Sequence, residues 1–230
     1  MKELFASASF AGAALTMVAF FFGSKIKDKF KSQFFNPILI AIVIIITFLF
    51  TTGIDYDTYN SGAKYISWFL TPATVSLAIP LYRQIEQLKN NVFAILTGIF
   101  SGVVASAVGI LTLALIFGLS HPEYVTLLPK SVTSAIGMGV AEELGGVSSI
   151  TVPVIIITGI FGNIIASSVL DFCKITNPVA KGLAIGTAAH GTGTTRAIEL
   201  GEVEGAMSGL SIAVAGLMTV VVAQIFAMLH

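Results

Sequence analysis

"KGLAIGTAAHGTGTTRAIE", residues 181–199, lies between two strongly apolar runs, yet is rich in glycine and threonine and carries one histidine and one arginine. Whether it forms a continuous or an interrupted helix decides the architecture around it. Gly182 and Gly186 make a small-xxx-small pair, which allows helices to approach closely. Gly191 and Gly193 weaken helix continuity by about 1 kcal/mol each relative to alanine. An opened helix end here offers unpaired amides and partial positive charge, a setting suited to an anion.

The surrounding sequence belongs in a bilayer. The chain of 230 residues is 55% hydrophobic and only 10% charged, with a mean hydropathy of +0.93, whereas soluble domains run near a quarter charged. About 20 apolar residues make one helical crossing. Eight candidate runs stand near 4–22, 36–53, 64–82, 91–118, 124–144, 148–171, 178–196 and 205–229. Their links are short, so residues 1–230 read as a single integral membrane domain, an all-α polytopic helix bundle. The first run is long for a signal peptide and is followed by lysines rather than a cleavage motif, so it reads as a retained helix. Lys25, Lys27, Lys29 and Lys31 place the first loop inside and the N-terminus outside. Beyond the fourth run the charges leave the topology open. Full crossings put Lys174 and Lys181 outside, while a re-entrant hairpin at 124–144 removes that conflict. The lone Cys173 excludes an internal disulfide and supplies no metal-ligand spacing.

An internal repeat is visible over about 64–118 and 124–171. "LTGIFSGVVASAV" from Leu96 and "ITGIFGNIIASSV" from Ile157 share seven of thirteen residues. Upstream, "PATVSLAIP" from Pro72 matches "PKSVTSAIG" from Pro129. Proline inside an apolar run removes an amide donor and breaks or kinks the helix. In lipid, non-helical backbone survives only where buried in protein or lining a wet cavity. Paired interruptions at corresponding repeat positions point to a transporter's binding site. Pro72, Thr74 and Ser76 are therefore expected to build one broken segment, and Pro129, Ser131 and Thr133 the other. The alternative is that the prolines only kink ordinary helices.

Within the opening stretch, Thr192 and Thr194 offer hydroxyls, and Arg196 is a permanent charge that at membrane depth needs a partner or water. Together with Asn163 they are the candidate carboxylate-binding residues. Arg196 pairing with Glu199 and Asn163 bridging helices are the structural alternatives. His190 titrates near neutrality, and with Glu142 and Glu143 it is a candidate for proton coupling. Its alternative is a packing residue bonded to a nearby carbonyl, and theirs is a solvated helix end. Lys130 and Lys181 read as interfacial. Among enzyme signatures, no H-E-x-x-H, Walker loop or G-x-S-x-G occurs, and no basic nucleic-acid module is present. No catalytic residue, cofactor or metal is therefore expected.

"PATVSLAIPLY", "PKSVTSAIGMGVAEELGG", "VPVIIITGIFGN" and "AKGLAIGTAAHGTGTTRAIELGEVEGAMSGLSI" resemble the LrgB/CidB family of bacterial membrane proteins, over essentially the whole chain. The sequence departs at Ala135, where many members carry proline. The resemblance implies two accounts. In one, these proteins are holin or antiholin partners of a small LrgA/CidA-type membrane protein that modulate murein hydrolase activity and lysis. In the other, they carry small organic acids: pyruvate in bacteria, glycolate and glycerate in a related plastid protein. Interrupted helices, hydroxyls and one buried cation agree with the second. The expected function is thus secondary transport of a small monocarboxylate in the bacterial inner membrane. The expected partners are the lipid bilayer, a small organic-acid anion and an LrgA/CidA-type protein, with room for a homo-oligomer.

Overall fold

The computed structural model describes residues 8–30, 35–69, 72, 79, 82, 86, 89 and 91–230. Among them every regular element is a helix. The chain divides into two compact units, residues 1–76 and 77–230.

The first unit contains α1 (Ala11–Phe30), α2 (Pro37–Thr52) and α3 (Tyr56–Ser67). α1 runs on through Lys25, Lys27 and Lys29, which the sequence reading assigned to a loop. Cations in a last turn face the negative end of the helix dipole, which favours that extension. Asn36 caps α2 by accepting from the Ile38 amide at 2.9 Å, and Asp55 caps α3 by accepting from the Thr58 amide at 2.9 Å. α1 packs on α3 through a Thr16–Tyr59 hydroxyl pair at 2.7 Å.

The second unit contains α4 (Val92–Phe117), α5 (His121–Leu127), α6 (Ser134–Glu143), α7 (Ser148–Phe172), α8 (Pro178–Leu200) and α9 (Glu202–Ala227). Of the eight expected runs, those that became α4, α7 and α9 are long and apolar enough to cross a membrane. Phe93, Phe117, Ile157, Phe161 and Leu217 on these helices are exposed. Such faces suit lipid, because a helix satisfies its own backbone and presents only side chains outward. Inward, Ile95, Ile99, Val103, Tyr124 and Met207 belong to one buried cluster.

Two stretches do not cross straight. The run expected at 124–144 is two short helices, α5 and α6, joined by the non-helical residues 128–133. Pro129 lies in that joint and cannot donate an amide to continue α5. After α6 the chain returns to the last turn of α5: the Val147 amide donates to Thr126 Oγ1 at 2.8 Å, and Thr151 Oγ1 donates to Thr126 O at 2.9 Å. The segment therefore enters and leaves at one end of the unit.

The second stretch is α8, the opening stretch of the sequence. Its backbone leaves helical geometry at His190, with φ 41° and ψ −137°. Before the break, α8 runs parallel to α9: Gly182 faces Glu204 and Met207, and Gly186 faces Ser208 and Ser211. After it the direction inverts, since Thr194 Oγ1 meets Ser208 Oγ at 2.8 Å and Ile198 lies against Gly205. A Cβ at Gly193 would lie 3.0 Å from the Ile185 side chain, although a straight helix would separate these residues by about 12 Å along its axis. The expected span at 178–196 is thus a hairpin. It has the shape suggested for 124–144, entering from the opposite end of the unit.

The matched glycine-containing stretches flank α8. A Cβ at Gly102 of α4 would lie 2.8 Å from Thr187, and one at Gly159 of α7 would lie 2.7 Å from the His190 ring. Pro72 is helical and exposed. Thr74 and Ser76 lie outside the described residues.

Candidate functional site

A cavity of about 840 Å³ opens between α4 and the first half of α8. Its mouth carries Asn91 and Asn177, at the start of α4 and α8. Its polar interior carries Ser106, Lys130, Ser131 and Thr187. The joint between α5 and α6 brings Lys130 there: its ammonium donates to Ser131 Oγ at 2.9 Å and to Ser106 Oγ at 3.3 Å. The two hydroxyls lie 3.3 Å apart. Ser106 is near the middle of α4, about 21 Å from its start and about 16 Å from its end at 1.5 Å per residue. A cation read as interfacial thus stands level with the centre of a membrane-length helix. Charges at such depth face a partner or an aqueous cavity and mark function by default.

Among the described residues lining the cavity, Lys130 is the only charged one, and none is acidic. Its hydrogen-bond partners among the described residues are both neutral hydroxyls, so its charge is not compensated there. Thr187 adds a second anomaly. It is 7% exposed, and its hydroxyl has no hydrogen-bond partner among the described residues. A buried polar group left unpaired costs about 1–3 kcal/mol, so such groups are uncommon without a reason. Ser106, Ser131 and Thr187 also share the lining of a small adjoining void, which places them side by side.

The structure places the other candidate residues differently. Ser131 lines the cavity, Pro129 is buried in the joint, and Thr133 stands at the position just before α6 without a side-chain capping bond. Thr192, Thr194, Arg196 and Asn163 come together around the second half of α8, away from the cavity lining. Asn163 donates from α7 to the Thr192 carbonyl at 2.8 Å and to Thr195 Oγ1 at 2.9 Å. Thr194 donates to the His190 carbonyl at 3.0 Å. Arg196 holds Glu199 at 2.7 Å and donates to Ser167 Oγ at 2.8 Å and 3.0 Å. His190 is buried, with Nε2 3.0 Å from the Ile155 carbonyl. Asn163, Thr194, Arg196 and His190 are thus all hydrogen-bonded to other groups of the protein. Glu142 and Glu143 are exposed.

Sequence reasoning did not single out Ser106 or Thr187, and it read Lys130 as interfacial. The signal for Lys130 was present: a lysine inside an apolar run, between Pro129 and Ser131, in a segment already suspected of re-entry.

Membrane-length apolar helices define a helical membrane protein. No solved structure matches this chain. The model of the LrgB-like family matches residues 16–229. The chain is 36% identical over 216 residues to the antiholin-like protein LrgB of Bacillus mycoides (strain KBAB4), covering 94% of each chain. It shows the same identity and coverage to the antiholin-like proteins LrgB of Bacillus cereus (strain B4264) and Bacillus anthracis (strain CDC 684 / NRRL 3495). The chain belongs to the LrgB-like family.

Proposed function

We propose that this chain acts as an antiholin-like, multi-pass protein of the bacterial cytoplasmic membrane, restraining murein hydrolase activity together with an LrgA/CidA-type partner. The observation that carries this reading is near full-length similarity to relatives that bear the antiholin-like name. In this reading the N-terminus faces outward and the lysines at the end of α1 stay inside. Deleting the gene should speed autolysis and raise murein hydrolase activity in the culture supernatant. Unchanged lysis, with the partner also present, would remove this role.

A second reading is favoured by the cavity. The chain carries a small monocarboxylate of the pyruvate or glycolate kind as a secondary transporter. Two chain reversals entering from opposite ends, with a cation at the depth where one of them turns, suit binding at the midplane of a carrier. Lys130 and the hydroxyls around it then receive the carboxylate, and the threonine-rich stretch holds the second reversal in shape. His190, Glu142 and Glu143 remain the candidates for proton linkage. Labelled pyruvate uptake into proteoliposomes, with and without the partner and under imposed pH gradients, tests it. Saturable, substrate-selective uptake supports the carrier. A pore or a regulator would show none.

A further inference from the structure

We infer that one face of α1 holds an anionic phospholipid, its phosphate bridged by Lys25 and Lys29 and an acyl chain laid along Val18, Phe21 and Phe22. The face belongs to the first unit alone, so it stands apart from either role proposed for the chain.

Spacing brings these residues together. Val18, Phe21, Phe22, Lys25 and Lys29 follow one another at steps of three and four along α1, so they share one stripe of the helix. All five are exposed. The stripe is bulky and apolar in the middle of the helix and cationic at its end, as an acyl chain continued by a charged headgroup requires.

The charges on it are free. The Lys25 ammonium lies 5.4 Å from the centre of the Phe21 ring and the Lys29 ammonium 5.8 Å from that of Phe30. Among the described residues neither has an ion-pair partner, and the exposed Asp28 pairs with neither. A ring face attracts an ammonium without accepting all of its three N–H donors. Two such groups one helical turn apart suit two oxygens of one phosphodiester.

Depth supplies the third reason. A Cβ at Gly23 would lie 2.6 Å from the Pro37 carbonyl oxygen, so α2, which carries no charged residue, begins level with Gly23. From that level Lys25 stands about 3 Å and Lys29 about 9 Å further along α1. A headgroup layer is about 5–8 Å deep on each side of the hydrocarbon. The two ammoniums therefore bracket the depth of the lipid phosphates, while Val18, Phe21 and Phe22 fall on the hydrocarbon side.

The experiment is equilibrium binding of labelled phosphatidylglycerol to the full chain in a non-ionic detergent, competed with phosphatidylethanolamine of the same acyl chains and with soluble glycerol 1-phosphate. Phosphatidylethanolamine carries its own ammonium, which competes with the lysines for the phosphate. Saturable binding is expected, with phosphatidylethanolamine weaker by about tenfold or more and glycerol 1-phosphate not competing. Lys25→Gln and Lys29→Gln should each weaken phosphatidylglycerol by about fivefold and leave phosphatidylethanolamine unchanged. The double variant should lose the preference, and Lys25→Arg with Lys29→Arg should keep it. Because the preference is a ratio within one preparation, partial unfolding of a variant cancels. Phe22→Ala should weaken both lipids alike. Lys64→Gln should change nothing, since Lys64 lies 5.8 Å from the Tyr65 ring centre but is the only lysine of α3.

Equal affinity for the two lipids would overturn the site. So would a preference that survives in the double variant, or one lost as fully in Lys64→Gln. Displacement by glycerol 1-phosphate at equal concentration would make this a site for a soluble phosphate instead. Disulfide cross-linking of Val18→Cys between two chains in native membranes, in a Cys173→Ser background, would give the face to a second copy and also overturn it.

Discussion

The chain turns back on itself twice in its second unit, and the two turns differ in how they treat their polar groups. At His190 each one is closed by protein. The imidazole reaches the Ile155 carbonyl, Thr194 bonds the His190 carbonyl and Ser208, and Arg196 holds Glu199. At 128–133 the opposite holds: among the described residues Lys130 hydrogen-bonds only the neutral Ser106 and Ser131 hydroxyls, and the Thr187 hydroxyl has no hydrogen-bond partner. Both regions looked like sites in the sequence. The difference teaches that the two turns meet the cost of buried polar groups differently, one with partners inside the protein and the other without them among the described residues.

The sharpest way to break this comparison is to ask whether α8 truly reverses. Cys173, exposed just past α7, and a cysteine introduced by Glu199→Cys should react with an impermeant thiol reagent from the same face of sealed vesicles. Labelling from opposite faces would mean a straight span and an all-or-none failure of the hairpin. Next in size is Gly186→Leu. A side chain there must displace the Ser208 backbone, so destabilisation of about 3 kcal/mol is expected in thermal unfolding. A wild-type melting temperature would show that α8 and α9 do not pack as described.

A matched pair of hydroxyl removals then sharpens the contrast. Thr194→Val deletes bonds to His190 and Ser208 and should cost about 2 kcal/mol. Thr187→Val removes a hydroxyl that has no partner and should be neutral or stabilising by up to about 1 kcal/mol in ligand-free protein. Equal losses in both would erase the distinction between the two regions. The smallest effect concerns Glu123, which accepts from the Ser120 hydroxyl and amide at 2.7 Å. These bonds hold its carboxyl below the ordinary glutamate value. Its contribution to stability is therefore present above that ordinary value and lost as pH falls through the lowered one. Glu123→Gln should flatten this part of the acid limb of a stability–pH profile by slightly lowering neutral stability while leaving stability in acid unchanged.

Much of the fold was legible because bilayer thickness leaves few options. Runs of apolar residues at 91–118, 148–171 and 205–229 became α4, α7 and α9 within a few residues. The turn at His190 was less legible. Gly191 and Gly193 announced weakness, but the reversal itself depends on α9 and on the bare surface of Gly159 against the imidazole, which are contacts made far along the chain. For the site, the type of chemistry was readable and its address was not. Hydroxyls, a cation and prolines were all noticed. Which cation stays uncompensated depends on whether a carboxylate lies nearby in space, and Arg196 had Glu199 one turn away whereas Lys130 had none.

The dependence of the second hairpin on α9 has a consequence for how the protein is made. The first half of α8 rests on Met207 and Ser208, and its second half is tied back through Ser208 as well. Those residues follow α8 in the chain, so the contacts of the hairpin with α9 form only after α9 is made. Until then His190 and the threonine-rich arm have α7 alone beside them, through the Ile155 carbonyl and Asn163. Assembly is therefore ordered, with α4 and α7 as the early walls and α9 as the late clasp.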